Sequence, residues 1–98
     1  MAEPKIIWSP EALDHLDQIA RYIAEDSIRY ATIVVSKITA IVESIPSFPK
    51  VGRMVPEYHD ERIRERIYDN YRIVYRLKNS HIEIVAICHG TKLFGRLI

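Results

Sequence analysis

Five arginines and three tyrosines fall within the fifteen residues "RIRERIYDNYRIVYR", positions 62–76. Guanidinium groups clamp phosphate through paired N–H donors, and tyrosine rings stack on bases. Cleaving RNA asks for more: a base to activate the 2′-hydroxyl, an acid for the leaving oxygen, and cations around the crowded phosphate. In such a site His89 would be the acid and Arg72, Arg76 and Arg64 the phosphate clamp. Lys92 or Glu57 would assist if the loops bring them near. Arg62, Arg66, Arg53 and Lys92 would widen the cationic surface into one that grips a target or partner. A plainer reading stands beside each of these. His89 would be a strand-end histidine bonded to backbone, and the arginines would pair across strands with Glu65 and Glu83 while their stems pack.

Other chemistries find no support. His15, His59, His81 and His89 lack metal-ligand spacing, and one cysteine, Cys88, makes no zinc site. Gly52 and Gly90 stand alone rather than in a phosphate loop, so no cofactor is expected. Cys88 reads as a core residue on the buried sheet face.

The whole chain is 98 residues with a formal net charge of +1, which fits a single domain spanning 1–98. Lys and Arg number four against seven Asp and Glu in residues 1–45, and ten against six in 46–98. The C-terminal half is therefore expected to meet something anionic, nucleic acid or an acidic protein segment. No apolar run approaches a membrane span, and the N-terminus turns polar too early for a signal peptide, so no membrane partner is expected. The single cysteine points to a reducing cytoplasm.

These side chains need elements to position them. Lys5–Trp8 is a short β-like run. Ser9-Pro10 starts a helix, with a hydroxyl cap and proline at the first position, and Leu13, Leu16, Ala20 and Ile23 mark its buried face. Ser27 caps a second helix whose stripe runs Ala31, Val34, Val35, Ile38, Ile41, Val42 and Ile45 until Pro46 closes it. The short link between them predicts an antiparallel hairpin. Residues 46–61 read as an ordered surface loop anchored by Phe48. Strands follow at about 62–67, 71–78 and 81–89.

The turn after the first of these strands decides which residues share a face. A two-residue Asp69-Asn70 turn would pair Ile67 with Arg72 and Ile63 with Arg76, mixing apolar and cationic groups on both faces. A three-residue loop, Tyr68-Asp69-Asn70, with Asn70 left-handed, gathers Ile63, Ile67, Tyr71, Ile73 and Tyr75 on one face. It leaves Arg62, Arg64, Arg66, Arg72 and Arg76 on the other. The three-residue loop is the expected one. A two-residue Asn79-Ser80 turn then pairs Leu77 with Ile82, Tyr75 with Ile84 and Ile73 with Ala86, and sets His89 on the cationic side. The expected architecture is α+β, β-α-α-β-β-β, with the helical hairpin on one face of a mainly antiparallel sheet and an open cationic face opposite.

"WSPEALDHLDQIARYIAED", "IPSFPKVGRMVPE", "IRERIYDNYRIVYRL" and "IEIVAICHGTKLF", in that order over about residues 4–94, resemble the RelE/ParE superfamily of bacterial toxins, of the plasmid-stabilisation type. The resemblance implies that same fold and the toxin half of a type II toxin–antitoxin pair. It also implies a separately encoded antitoxin that wraps the basic sheet face and the helical hairpin in a hetero-oligomer. RelE-like members cleave mRNA on the ribosome; ParE-like members inhibit DNA gyrase and need no catalytic residues. Ribonuclease members similar to RelE or YoeB carry a catalytic arginine about where Glu65 stands, and a compact His/Tyr tail. Here the tail is HGTKLFGRLI, with no tyrosine after Tyr75, and Arg64 or Arg66 could serve only in a different register. The departure favours the ParE-like reading, with gyrase as target. A ribosome-dependent endoribonuclease, and an inactive toxin that only binds antitoxin, are the alternatives.

Overall fold

The computed structural model describes residues 3–90. Strand β1 (Lys5–Trp8) runs into Ser9, whose hydroxyl accepts from the Ala12 N–H at 3.0 Å and starts α1 (Pro10–Ala24). Ser27 caps α2 (Ile28–Ser44) in the same way, accepting from the Tyr30 N–H at 3.0 Å. Pro46 sits in a single 3₁₀ turn, Ile45–Ser47, that ends the helix. Then come β2 (Arg53–Met54), β3 (Ile63–Tyr68), β4 (Tyr71–Leu77) and β5 (His81–His89). The sheet order is β1-β5-β4-β3-β2, with β1 parallel to β5 and every other pair antiparallel. This is the expected α+β arrangement, with the two-residue β2 added inside the stretch read as loop.

The helices cover one sheet face. Val34, Ile38 and Val42 of α2 pack with Ala12 of α1 against Ile73, Tyr75, Ile82, Ile84 and Ile87. On α1 the buried stripe is Ala12, Leu16, Ile19 and Ile23 rather than the one through Leu13, which is 52% exposed. Ser9 sets that rotation: its hydroxyl also donates to the Val85 carbonyl at 3.1 Å, which turns Ala12 onto the sheet.

The β3–β4 hairpin overturns the expected register. Tyr68 pairs with Tyr71, so the turn has two residues, and Asp69 rather than Asn70 takes the positive φ, 54°. Ile63 faces Arg76, Glu65 faces Val74 and Ile67 faces Arg72. The arginines are thereby split. Arg64 and Arg66 lie on the helix side with Tyr75 and Ile73, and Arg72 and Arg76 on the outer side with Ile63, Glu65 and Ile67. No open cationic face carries all five. The reason lies in residues 55–60, which fold over the outer face and bury Val55 against Ile63, Val74, Val85 and Ala86. With cores on both sides, each face must supply apolar groups, and alternation along the strands supplies them.

β5 adds a second shift. Leu77 pairs with Ile82 and Tyr75 with Ile84 as expected, but a bulge brings Ile73 opposite Ile87 rather than Ala86. The Ile87 N–H instead donates to Nδ1 of His15 at 3.2 Å, which assigns the ring proton to Nε2. Beyond the bulge, His89 falls on the helix side, and Cys88 joins the outer cluster instead of the helix-side core.

Candidate functional site

The sequence directs attention to the outer face. β4 is a central strand, so the Arg72 side chain is held on that face by pairing on both sides and is 9% exposed. Its Nε donates to Oε1 of Glu65 at 2.7 Å, and its two terminal nitrogens donate to the two oxygens of Glu57, both at 2.9 Å. Glu65, wholly buried, also accepts from Nε of Arg53 at 2.5 Å. The four side chains form one chain of charge, Arg53–Glu65–Arg72–Glu57. It straps β2 and the following loop to the sheet, and Arg53, Glu57 and Arg72 line a cavity of about 410 Å³ together with Ile67, Asp69 and Tyr71. Two arginines meet three carboxylates here, Glu57, Glu65 and Asp69, so no excess of positive charge faces the cavity.

The pairing shifts both partners. Hydrogen bonds from Arg72 hold the Glu57 carboxyl at about 2, and Glu57 in turn pushes the Arg72 guanidinium up. A carboxyl that is more acidic folded than unfolded stabilises the protein fully above its ordinary value, 4.5, and loses that contribution as the pH falls toward 2. Urea midpoints are therefore expected to drop between about pH 4.5 and 2, and Glu57→Gln to remove part of that drop. Because Glu57 is 27% exposed, the difference amounts to roughly 1–2 kcal/mol. Parallel wild-type and variant profiles would contradict the assignment.

The other candidate residues are placed apart from this set. Arg76 donates to Glu83 at 2.7 Å and Arg62 pairs with Asp60 at 3.3 Å. Arg64 donates to the carbonyls of Glu61 and Gly52 at 2.9 and 2.8 Å, and Arg66 donates to the Ser44 hydroxyl at 3.5 Å. The exposed His89 sets its ring edge-on to Tyr71, centroids 5.1 Å apart, on the face opposite Arg72 and Arg76. Lys92 lies outside the described residues. The structure thus joins Arg53, Glu57 and Arg72, and separates His89 and Arg64 from the arginines once grouped with them.

One structural pair was not singled out from the sequence. The Tyr75 hydroxyl donates to the Pro49 carbonyl at 2.7 Å and accepts from the Gly52 N–H at 3.0 Å, pinning the loop whose Phe48, the expected anchor, is 72% exposed. Burial pushes the Tyr75 phenol up. A tyrosine among Ile73, Val74 and Leu77 was the available signal, since a buried phenol requires a partner.

Comparison with known proteins agrees with this architecture. The profile of the family described as "ParE toxin of type II toxin-antitoxin system, parDE" matches residues 6–94. The curated protein named "Putative toxin Y4kP" of Sinorhizobium fredii is 31% identical over 100 residues, covering all of both chains. A solved chain titled "Chromosomal ParDE TA system from P. aeruginosa" superposes with a TM-score of 0.74 at 20% identity, over 90% of this chain and 97% of that one. The YoeB dimer from Staphylococcus aureus gives 0.61 at 21% identity, over 93% and 100%; at such identities both report the fold. With the family profile spanning nearly its full length, this chain belongs to the ParE toxin family of type II toxin–antitoxin systems.

Proposed function

We propose that the protein inhibits bacterial growth by binding DNA gyrase in the cytoplasm, without catalysis of its own, and that a separately encoded antitoxin neutralises it. Membership of the ParE family supports the class. The observation that carries the mechanism is the buried Glu65, which engages both Arg53 and Arg72 about where the resemblance implies an arginine in the ribonuclease branch. A crowded phosphate needs cations with free donors beside an acid and a base. Here Arg72 and Arg76 donate to carboxylates, and His89 points to the other side of the sheet. Binding does not require that set; it requires a shaped surface.

Purified protein at micromolar concentration is expected to abolish supercoiling of relaxed plasmid by gyrase. Unimpaired gyrase together with new codon-linked mRNA ends after induction would replace this reading with the ribonuclease one. Harmless overexpression without antitoxin would leave only antitoxin binding.

A further inference from the structure

The helix-side face of the sheet ends in a row of rings. Tyr68, Tyr71 and His89 are successive partners across β3, β4 and β5, so their side chains stand side by side. The Tyr71 and His89 rings meet edge-on, with centroids 5.1 Å apart and planes at 68°. Helix α1 advances toward the same end, because Ser9 is tied to Val85 and His15 to Ile87. About two turns beyond His15, roughly 10 Å along the axis, it reaches Tyr22. Tyr30 stands across the short link, in the first turn of α2.

The rings are covered to different depths. Tyr68 and Tyr71 are half-buried against the core, whereas Tyr30 and Tyr22 are 48% and 75% exposed. Tyr75 uses its hydroxyl to pin a loop, but the hydroxyls of these four make no hydrogen bond among the described residues. Their mutual nearness registers on Tyr71. Burial pushes its phenol up, and Tyr30, Asp69, Tyr68 and Tyr22 push it further the same way.

Carboxylates flank the rings. Glu25 and Asp26 lie in the link between Tyr22 and Tyr30, and Asp69 lies in the turn between Tyr68 and Tyr71, where it also borders the charge-paired cavity. None of the three is in an ion pair among the described residues. Arg29 opposes them, and Arg21 is taken up by Asp17. Ring faces attract cations, most strongly those that shed water easily, and methyl groups on nitrogen add dispersion contact with the rings. A phosphate would meet the carboxylates instead.

We infer that Tyr22, Tyr30, Tyr68, Tyr71 and His89 form a site for a small quaternary ammonium compound. Its methylated nitrogen lies against the ring faces, and Glu25, Asp26 and Asp69 supply the attracting field. The inference holds whatever the cellular target of the toxin.

The test is a choline titration of the full chain, followed by NMR of ring-labelled tyrosines. Saturable shifts are expected at Tyr22, Tyr30, Tyr68 and Tyr71, while Tyr58 and Tyr75 stay unmoved as internal controls. The neutral isostere, with a tert-butyl group in place of trimethylammonium, should bind at least about tenfold more weakly. Tyr71→Leu should weaken choline binding about tenfold and Tyr22→Leu about threefold, whereas Tyr71→Phe keeps it because the ring face makes the contact. Tyr22 is exposed, so its variant reads the site with the fold intact even if Tyr71→Leu unfolds. No saturable shift, equal binding of choline and isostere, or unchanged binding in Tyr22→Leu and Tyr71→Leu overturns the inference. So does a nucleoside monophosphate that binds the same rings more tightly than choline, which would mark a base-stacking surface. Gyrase inhibition is read in a separate assay, so failure of this site and failure of the toxin mechanism are distinguishable.

Discussion

Arg72→Met is expected to lower the free energy of unfolding by roughly 3–5 kcal/mol, the largest effect of any single change on the outer face. The substitution fills similar volume, so little of the loss comes from a cavity. It comes from Glu65. That carboxylate is wholly buried and would keep only Arg53, which is 61% exposed and reaches it through a single nitrogen. Glu57 would lose its partner too, but with access to water it suffers far less. Urea denaturation at pH 7 measures the change, and a loss under about 1 kcal/mol would mean that the network contributes little.

Gly52→Ala comes next, at roughly 2–4 kcal/mol, combining overpacking with about 1 kcal/mol for each hydrogen bond it displaces. A Cβ there would meet the Glu65 carbonyl oxygen at 2.5 Å and the Tyr75 hydroxyl at 2.7 Å. Neither can retreat. The carbonyl belongs to a paired strand, and the hydroxyl is held between the Pro49 carbonyl and the Gly52 N–H. The loop would have to lift, loosening the Arg64 bond to the Gly52 carbonyl and the start of β2. In a domain of this size the melting temperature should fall by about 10 °C or more. A variant melting within about 2 °C of wild type would show that the loop is not pinned as described.

The sequence was most legible where one residue type has one physical use. Ser9-Pro10, Ser27 and Pro46 marked the helix limits because a cap and a missing amide act locally. Ile38 and Val42 sit where the helical period put them. Legibility failed where the answer depended on a segment outside the element being read. The three-residue loop at Tyr68-Asp69-Asn70 was preferred on the premise that only one face of the sheet is dry. Val55, which lies outside the pattern of both strands, falsifies that premise by burying the other face. Glu65, which the strand alternation sets on one face with Ile63 and Ile67, is then the counterion of Arg72. The bulge opposite Val74 and Tyr75 was likewise invisible: it leaves Val85 unmatched, and the Val85 carbonyl accepts from the Ser9 hydroxyl, 76 residues away. Of the site, the pairing of Arg76 with Glu83 was foreseeable as the plainer alternative. The reach of Glu57 to Arg72 was not, since it depends on how the loop folds over the sheet.

The account rests on the arginine-rich stretch being spent on internal carboxylates rather than held out for phosphate. A double-mutant cycle between Arg72→Met and Glu65→Leu tests this most directly, because it isolates what each group does for the other. Removing both charges should restore most of the stability lost with Arg72 alone, giving a coupling of about 2 kcal/mol or more. Additive losses, with a coupling below about 0.5 kcal/mol, would show the two side chains to be independent and leave Arg72 available for an outside anion.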